Sequence, residues 1–171
     1  IALDAGIFIV EDAAESFMSK YNGRYLGTIG NLGCFSFSPM KLITTGQGGL
    51  VTTNDGELHQ RLRQLKDQGR PLRGTGGDDP HPTIGYNFKL TNVQAAIGLG
   101  QLESLEDRMA HMRHLYELYS YGLGSISQVQ LIEFDLENGE LPGTTLRNDL
   151  FQAMLKGFEN FKVDYLFIHR I

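Results

Sequence analysis

The chain has 171 residues, 41% of them hydrophobic and 20% charged, which suits a soluble globular unit long enough to bury a core. A net charge of -5 with scattered arginines excludes a basic footprint for nucleic acid. No apolar run approaches the ~20 residues of a membrane span, and no basic region precedes a signal-type core.

The single cysteine, Cys34, excludes an internal disulfide framework and fits a reducing cytoplasm. In its apolar setting it reads as a buried small hydrophobe rather than a reactive thiol. The chain opens on Ile1 without a methionine and closes on the apolar residues 166–171. It is therefore expected to be a piece of a longer protein.

The β-branched and aromatic run Ile7-Phe8-Ile9-Val10 predicts a strand buried on both faces, ending on Glu11 and Asp12. Asn22-Gly23 and residues 27–30 mark turns. Residues 33–38 and 49–53 read as two more strands. Asn54-Asp55 then caps a helix with Leu58, Leu62 and Leu65 on one stripe, and Gly69 ends it. Residues 70–82 have no hydrophobic period and read as a loop about a dozen residues long, of the kind that often carries function.

Thr91 or Asn92 caps the longest helical stretch. Gly98 and Gly100 weaken it, so a break into two helices is expected, and residues 122–124 end it. Beyond that come a strand at 129–134, a turn at Asn138-Gly139, a helix at 148–155 and a strand at 163–168. Strands alternating with helices imply an α/β layer architecture. Sites in such sheets form at the carboxyl ends of strands, which is where Asp12 falls.

Asp12 is followed 29 positions later by Lys41, in the setting Phe35-Ser36-Phe37-Ser38-Pro39-Met40-Lys41. A carboxylate ending a buried strand and an amine among small and apolar residues suit pyridoxal phosphate. That cofactor needs an amine to hold its aldehyde as a Schiff base and an acid to keep its ring nitrogen protonated. Taken singly, each residue has a plainer reading: Lys41 as a surface lysine, Asp12 as a helix cap, Ser36 as a strand residue, Asn87 as a turn residue. Gly46-x-Gly48-Gly49 precedes a strand instead of opening a helix, so it is no dinucleotide fingerprint. The five histidines show no metal-ligand spacing, and His111 and His114 read as a solvated helix face. No metal is expected.

Four separated motifs fall in order: Glu11-Asp12-Ala13-Ala14-Glu15; Phe35-Ser36-Phe37 with Lys41; Thr44-Thr45-Gly46-x-Gly48-Gly49; and Ile84-Gly85-Tyr86-Asn87-Phe88-Lys89-Leu90-Thr91-Asn92. Together they resemble the nucleotide-sugar aminotransferases of the DegT/DnrJ/EryC1/StrS group, over roughly residues 1–122. Residues 137–142 further resemble its perosamine synthase branch. The resemblance implies the pyridoxal phosphate-dependent aspartate aminotransferase-like fold (fold type I). Residues 1–124 would form the C-terminal half of the cofactor-binding large domain, and residues 125–171 part of the small domain.

The resemblance also implies a set of roles. Lys41 would carry the cofactor and shuttle protons, and Asp12 would pair with the pyridinium nitrogen. Glu15 would approach the ring hydroxyl, Ser36 would hold the phosphate, and Asn87 would reach a phosphate in the neighbouring subunit of a homodimer. Lys89 stands where relatives often have arginine, which weakens any bidentate role there. A branch of the group with histidine in place of the lysine performs dehydration; Lys41 reads as transamination. The implied substrate is a nucleotide-linked 4-keto-6-deoxy sugar, GDP-linked in the perosamine case, with glutamate as amino donor and the cytoplasm as location. Arg70 and Arg73 are candidates for the diphosphate. Two other readings stay open: a non-catalytic homologue or fragment that binds cofactor or partner without turnover, and a nucleotide-binding oxidoreductase on a doubly wound sheet.

Overall fold

The computed structural model describes residues 1–2, 4–71, 79–126 and 131–142. Five strands come first: β1 (Val10–Asp12), β2 (Lys20–Tyr21), β3 (Arg24–Tyr25), β4 (Leu32–Ser36) and β5 (Gly49–Thr52). Three helices follow: α1 (Gly56–Lys66), α2 (Asn92–Glu103) and α3 (Leu105–Leu123). The main sheet has the order β1-β4-β5, with β1 parallel and β5 antiparallel to β4. β2 and β3 form a separate hairpin closed by Asn22 and Gly23, both with positive φ (50° and 75°), as a tight two-residue turn requires.

Side chains alternate across the sheet, so register assigns the faces. Asp12 pairs with Cys34, and Ser36 lies two residues further along β4. Asp12, Cys34 and Ser36 therefore share one face, while Glu11, Gly33, Phe35 and Thr52 share the other. On that second face the Glu11 carboxylate accepts from the backbone N–H groups of Gly27 (2.8 Å), Ile29 (2.6 Å) and Gly30 (2.6 Å). The Thr52 hydroxyl donates to the Gly27 carbonyl at 2.5 Å. Gly33 makes this fit, because a Cβ there would stand 2.0 Å from the Gly27 carbonyl oxygen. Three donors on one carboxylate fix the 27–30 turn against the sheet.

Asp55 caps α1, its carboxylate accepting from the N–H groups of Glu57 and Leu58. The predicted stripe of Leu58, Leu62 and Leu65 is half-buried. Thr91 and Gln94 form a capping box on α2. The expected break in the long helix is present, but at Ser104 and not at the glycines; Gly98 and Gly100 both stay helical.

The run at residues 7–10 departs from expectation. The strand begins only at Val10, and Ile7, Phe8 and Val10 are more than half exposed. β1 is an edge strand of a three-stranded sheet, and among the described residues nothing pairs with its outer edge. Cys34 is half-buried, not enclosed. Residues 131–134 run outside any ladder, whereas the turn at Asn138-Gly139 is present. Residues 129–130, the helix at 148–155 and the strand at 163–168 lie outside the described residues, as does Arg73.

The buried apolar side chains of the described residues include Ala13, Ile43, Met109 and Leu141. They come from the β1 exit, the Lys41 segment, α3 and the 131–142 segment, which share the walls of one cleft. Lys20 donates its N–H to the Gly139 carbonyl (3.1 Å), and the Leu141 N–H donates to Ser19 Oγ (3.3 Å). These bonds seat the later segment beside the hairpin. No described helix is long and apolar enough to cross a membrane.

Candidate active site

β1 and β4 run parallel, so the segments leaving their carboxyl ends emerge on the same side of the sheet. The β1 exit carries Asp12 to Glu15 and the β4 exit carries Ser36 to Lys41. The Ala13 N–H bonds to the Cys34 carbonyl at 2.9 Å, and Asp12 Oδ1 accepts from the Ala14 N–H at 3.1 Å, which fixes the first exit. In the second, the Ser38 N–H donates to Ser36 Oγ (3.3 Å) and the Lys41 N–H donates to the Ser38 carbonyl (3.1 Å).

Beyond Lys41, the Thr44 hydroxyl and the Thr45 N–H both bond the Phe37 carbonyl, at 2.8 and 3.1 Å. The following turn brings the Gly48 carbonyl back to the Phe37 N–H at 2.9 Å. α2 braces this loop from outside. Gln101 accepts from the Thr44 N–H (2.9 Å) and Gln94 donates to the Gln47 carbonyl (3.2 Å). Gly98 lies so close that a Cβ would stand 2.9 Å from Thr45 Cγ2.

The outcome is a juxtaposition of Lys41 and Glu15, whose ammonium and carboxylate form an ion pair across a separation of 26 residues. The Lys41 side chain is only 14% exposed. Burial holds its amine below the ordinary lysine range, and the nearby negative charge of Asp12 opposes that fall with a smaller effect. Both partners line an open cleft whose other walls include Phe17, Leu42, Met109 and Leu141.

Three of the five expected site residues, Asp12, Glu15 and Lys41, are thus gathered. Ser36 is half-buried on the Asp12 face of the sheet. Asn87 does not line the cleft: it is exposed and bridges antiparallel to Asp67.

Lys89 pairs with Asp67 at 2.8 Å. Arg70 is committed to two carboxylates, with bonds to Asp79 at 2.7 and 2.9 Å and to Asp67 at 3.3 Å. The Arg70 guanidinium holds the Asp79 carboxyl down to about 2, and Lys89 together with Arg70 lowers that of Asp67. Arg70 is therefore a clamp at the neck of its loop and not a free cation. His111 and His114 lie exposed on α3.

The aminotransferase family DegT/DnrJ/EryC1/StrS has a model that matches residues 1–155. This chain belongs to that family. It is 43% identical over 129 residues to the GDP-perosamine synthase of Escherichia coli O157:H7, covering 75% of this chain and 35% of the relative. It is 37% identical over 131 residues to that of Caulobacter vibrioides, covering 74% and 33%.

Among solved structures, DesI in the presence of its TDP-sugar product matches with a TM-score of 0.70 and 28% identity, over 82% of this chain and 34% of that one. The aminotransferase TlmJ from Streptoalloteichus hindustanus matches with a TM-score of 0.69 and 32% identity, over 75% and 35%. The fold is that of the fold type I sugar aminotransferases. The chain spans about a third of the length of the curated relatives it matches.

A cofactor of the pyridoxal phosphate kind fits the residues present. Its aldehyde needs an amine that can lose its proton, and Lys41 is such an amine by burial. Its ring nitrogen needs an anion, and the Asp12 charge already reaches Lys41. A phosphate needs short donors, and Ser36 stands on the same sheet face as Asp12.

Proposed function

We propose that the polypeptide to which this chain belongs is a pyridoxal phosphate-dependent aminotransferase of a nucleotide-linked 4-keto-6-deoxy sugar, GDP-linked, with glutamate as amino donor. The observation that carries it is the gathering of a largely buried lysine, its pKa lowered by that burial, with two carboxylates at the carboxyl ends of two parallel strands. The GDP-perosamine synthase relatives support the sugar class.

When bound, the cofactor supplies an electron sink through which an amino group can pass to a ketone. Lys41 Nζ holds the cofactor and afterwards accepts and returns a proton, a task its lowered pKa brings nearer to neutral pH. The Asp12 carboxylate keeps the ring nitrogen protonated, and Glu15 faces the ring hydroxyl. Ser36 donates to the phosphate, and Asn87 reaches the phosphate held by a second copy in a homodimer. Residues 1–124 form part of the cofactor-binding domain and residues 125–171 part of the small one, in a cytoplasmic enzyme.

Borohydride trapping of the full-length protein with added pyridoxal phosphate should place the label on Lys41. A label on Lys20, Lys66 or Lys89 would sink the assignment. A panel of GDP-, UDP- and dTDP-linked keto sugars then tests the substrate. Preference for a UDP or dTDP sugar would remove the perosamine reading and leave the aminotransferase in place.

A further inference from the structure

We infer that Glu15 is the positioning residue for Lys41, holding it as an ammonium and aiming it into the cleft in the cofactor-free protein, so that removing the Glu15 charge frees the amine. The inference deepens the reading above and rests on it for the identity of Lys41 as the reacting group.

Two observations carry it. The first is the direct ion pair between Lys41 Nζ and Glu15 Oε1, made by residues that leave two neighbouring parallel strands. The second is the asymmetry of the surroundings. Lys41 is largely buried while Glu15 is 37% exposed, so the carboxylate remains hydrated and the amine is the group that burial strains.

Besides Lys41 and Glu15, the cleft is lined by Ala14, Phe17, Ser19 and Leu42 from the two exits and their continuations, Met109 and Met112 from α3, and Leu141 and Pro142 from the later segment. All eight are uncharged. Among the described residues, the charged groups acting on Lys41 are Glu15, by contact, and Asp12, through space. Burial drives the amine toward its neutral form and the two carboxylates drive it toward the ammonium. Glu15 is the hold made by direct contact, and Asp12 acts from further off. The ammonium has no lone pair and cannot attack a carbonyl until it sheds a proton. Glu15 is the adjacent acceptor: transfer of one proton from Nζ to Oε1 leaves a neutral amine and a neutral carboxylic acid, with no other reactant needed.

Glu15→Gln keeps the shape and removes the charge. The Lys41 ammonium then loses its contact partner and gives up its proton more readily, and the free-amine fraction near neutral pH rises about tenfold. The test is trace acetylation of the cofactor-stripped, full-length protein with acetic anhydride over a pH series, with Lys41 read by peptide mass mapping against Lys66 in the same molecule. The Lys41 midpoint should move to lower pH in Glu15→Gln, with about tenfold more label at neutral pH. Glu15→Asp, which restores the charge, should titrate close to the wild type.

An unchanged midpoint in a folded Glu15→Gln protein overturns the inference. So does a uniform gain in labelling at every pH, which would mean access alone had changed. Failure of the wild type to trap pyridoxal phosphate on Lys41 would instead sink the aminotransferase reading and leave the acetylation result standing.

Discussion

Asp12 offers a separation of charge from shape. Asp12→Asn preserves size and can still accept from the Ala14 N–H, so the β1 exit should stay folded. What is lost is the negative charge that raises the Lys41 pKa and, on the proposed reading, supports a protonated ring nitrogen. Turnover of the full-length protein with its sugar substrate should fall by at least about 100-fold, with thermal midpoints little changed. Near-normal turnover would rule the role out.

Asp12 and Lys41 draw attention in the sequence through a strand end and a setting of small and apolar residues, whereas Glu15 comes only from the family resemblance. Glu11 escapes notice as a structural residue although the signal is present. Adjacent residues of a strand face opposite ways, so Glu11 and Asp12 cannot lie on the same face of the sheet. Glu11 is the carboxylate that organises the 27–30 turn behind the sheet. Arg70 misleads for another reason. Its composition-rich loop suggests solvent, while its carboxylate partners, Asp67 and Asp79, are three and nine residues away and only folding brings them together.

The brace on the lysine loop is a property of α2, and it predicts opposite outcomes at two glycines of the same helix. Gly98 packs on Thr45, a buried, β-branched residue whose hydroxyl is tied to the Gln47 carbonyl. Gly98→Val should overpack this contact and destabilise the full-length protein by about 1–3 kcal/mol. It should also weaken cofactor retention, because Thr44 and Thr45 anchor the turn after Lys41. Gly100 has nothing within 4 Å of where a Cβ would stand. Gly100→Ala should therefore gain up to about 1 kcal/mol from helix propensity. Denaturant midpoints decide it, and equal effects at both positions would remove the packing argument.

Read from the sequence, Gly98 is a weak point, because propensity counts only the local cost of glycine. Here the tertiary contact reverses its meaning, and the helix yields at Ser104 instead. A similar limit explains residues 7–10. A continuous apolar run indicates a surface that wants to be covered, but it does not say by what, and among the described residues β1 lies at a sheet edge.

Uncovered apolar surface is concentrated on the strap before α2 and on α2 itself: Ile84, Phe88 and Val93 are 85%, 72% and 71% exposed. Tyr86 and Phe88 stack with ring centroids 5.1 Å apart. Asn87 sits between them, away from the cleft that holds Lys41 and Glu15. An expected phosphate ligand that projects from an apolar strap, and not into its own chain's cleft, is what a shared site needs.

Mixing two inactive full-length variants, Lys41→Ala and Asn87→Ala, tests this sharing. A mixed dimer would contain one site damaged twice and one site intact, the latter built from the lysine of one chain and the asparagine of the other. Random exchange makes half the dimers mixed, so activity should recover to about a quarter of the wild-type level. The Lys41→Ala homodimer supplies no reacting amine, so recovery cannot come from that protein alone. Absence of recovery, with subunit exchange demonstrated by differently tagged chains, would mean that each site is complete within one chain and that the strap is covered by something else.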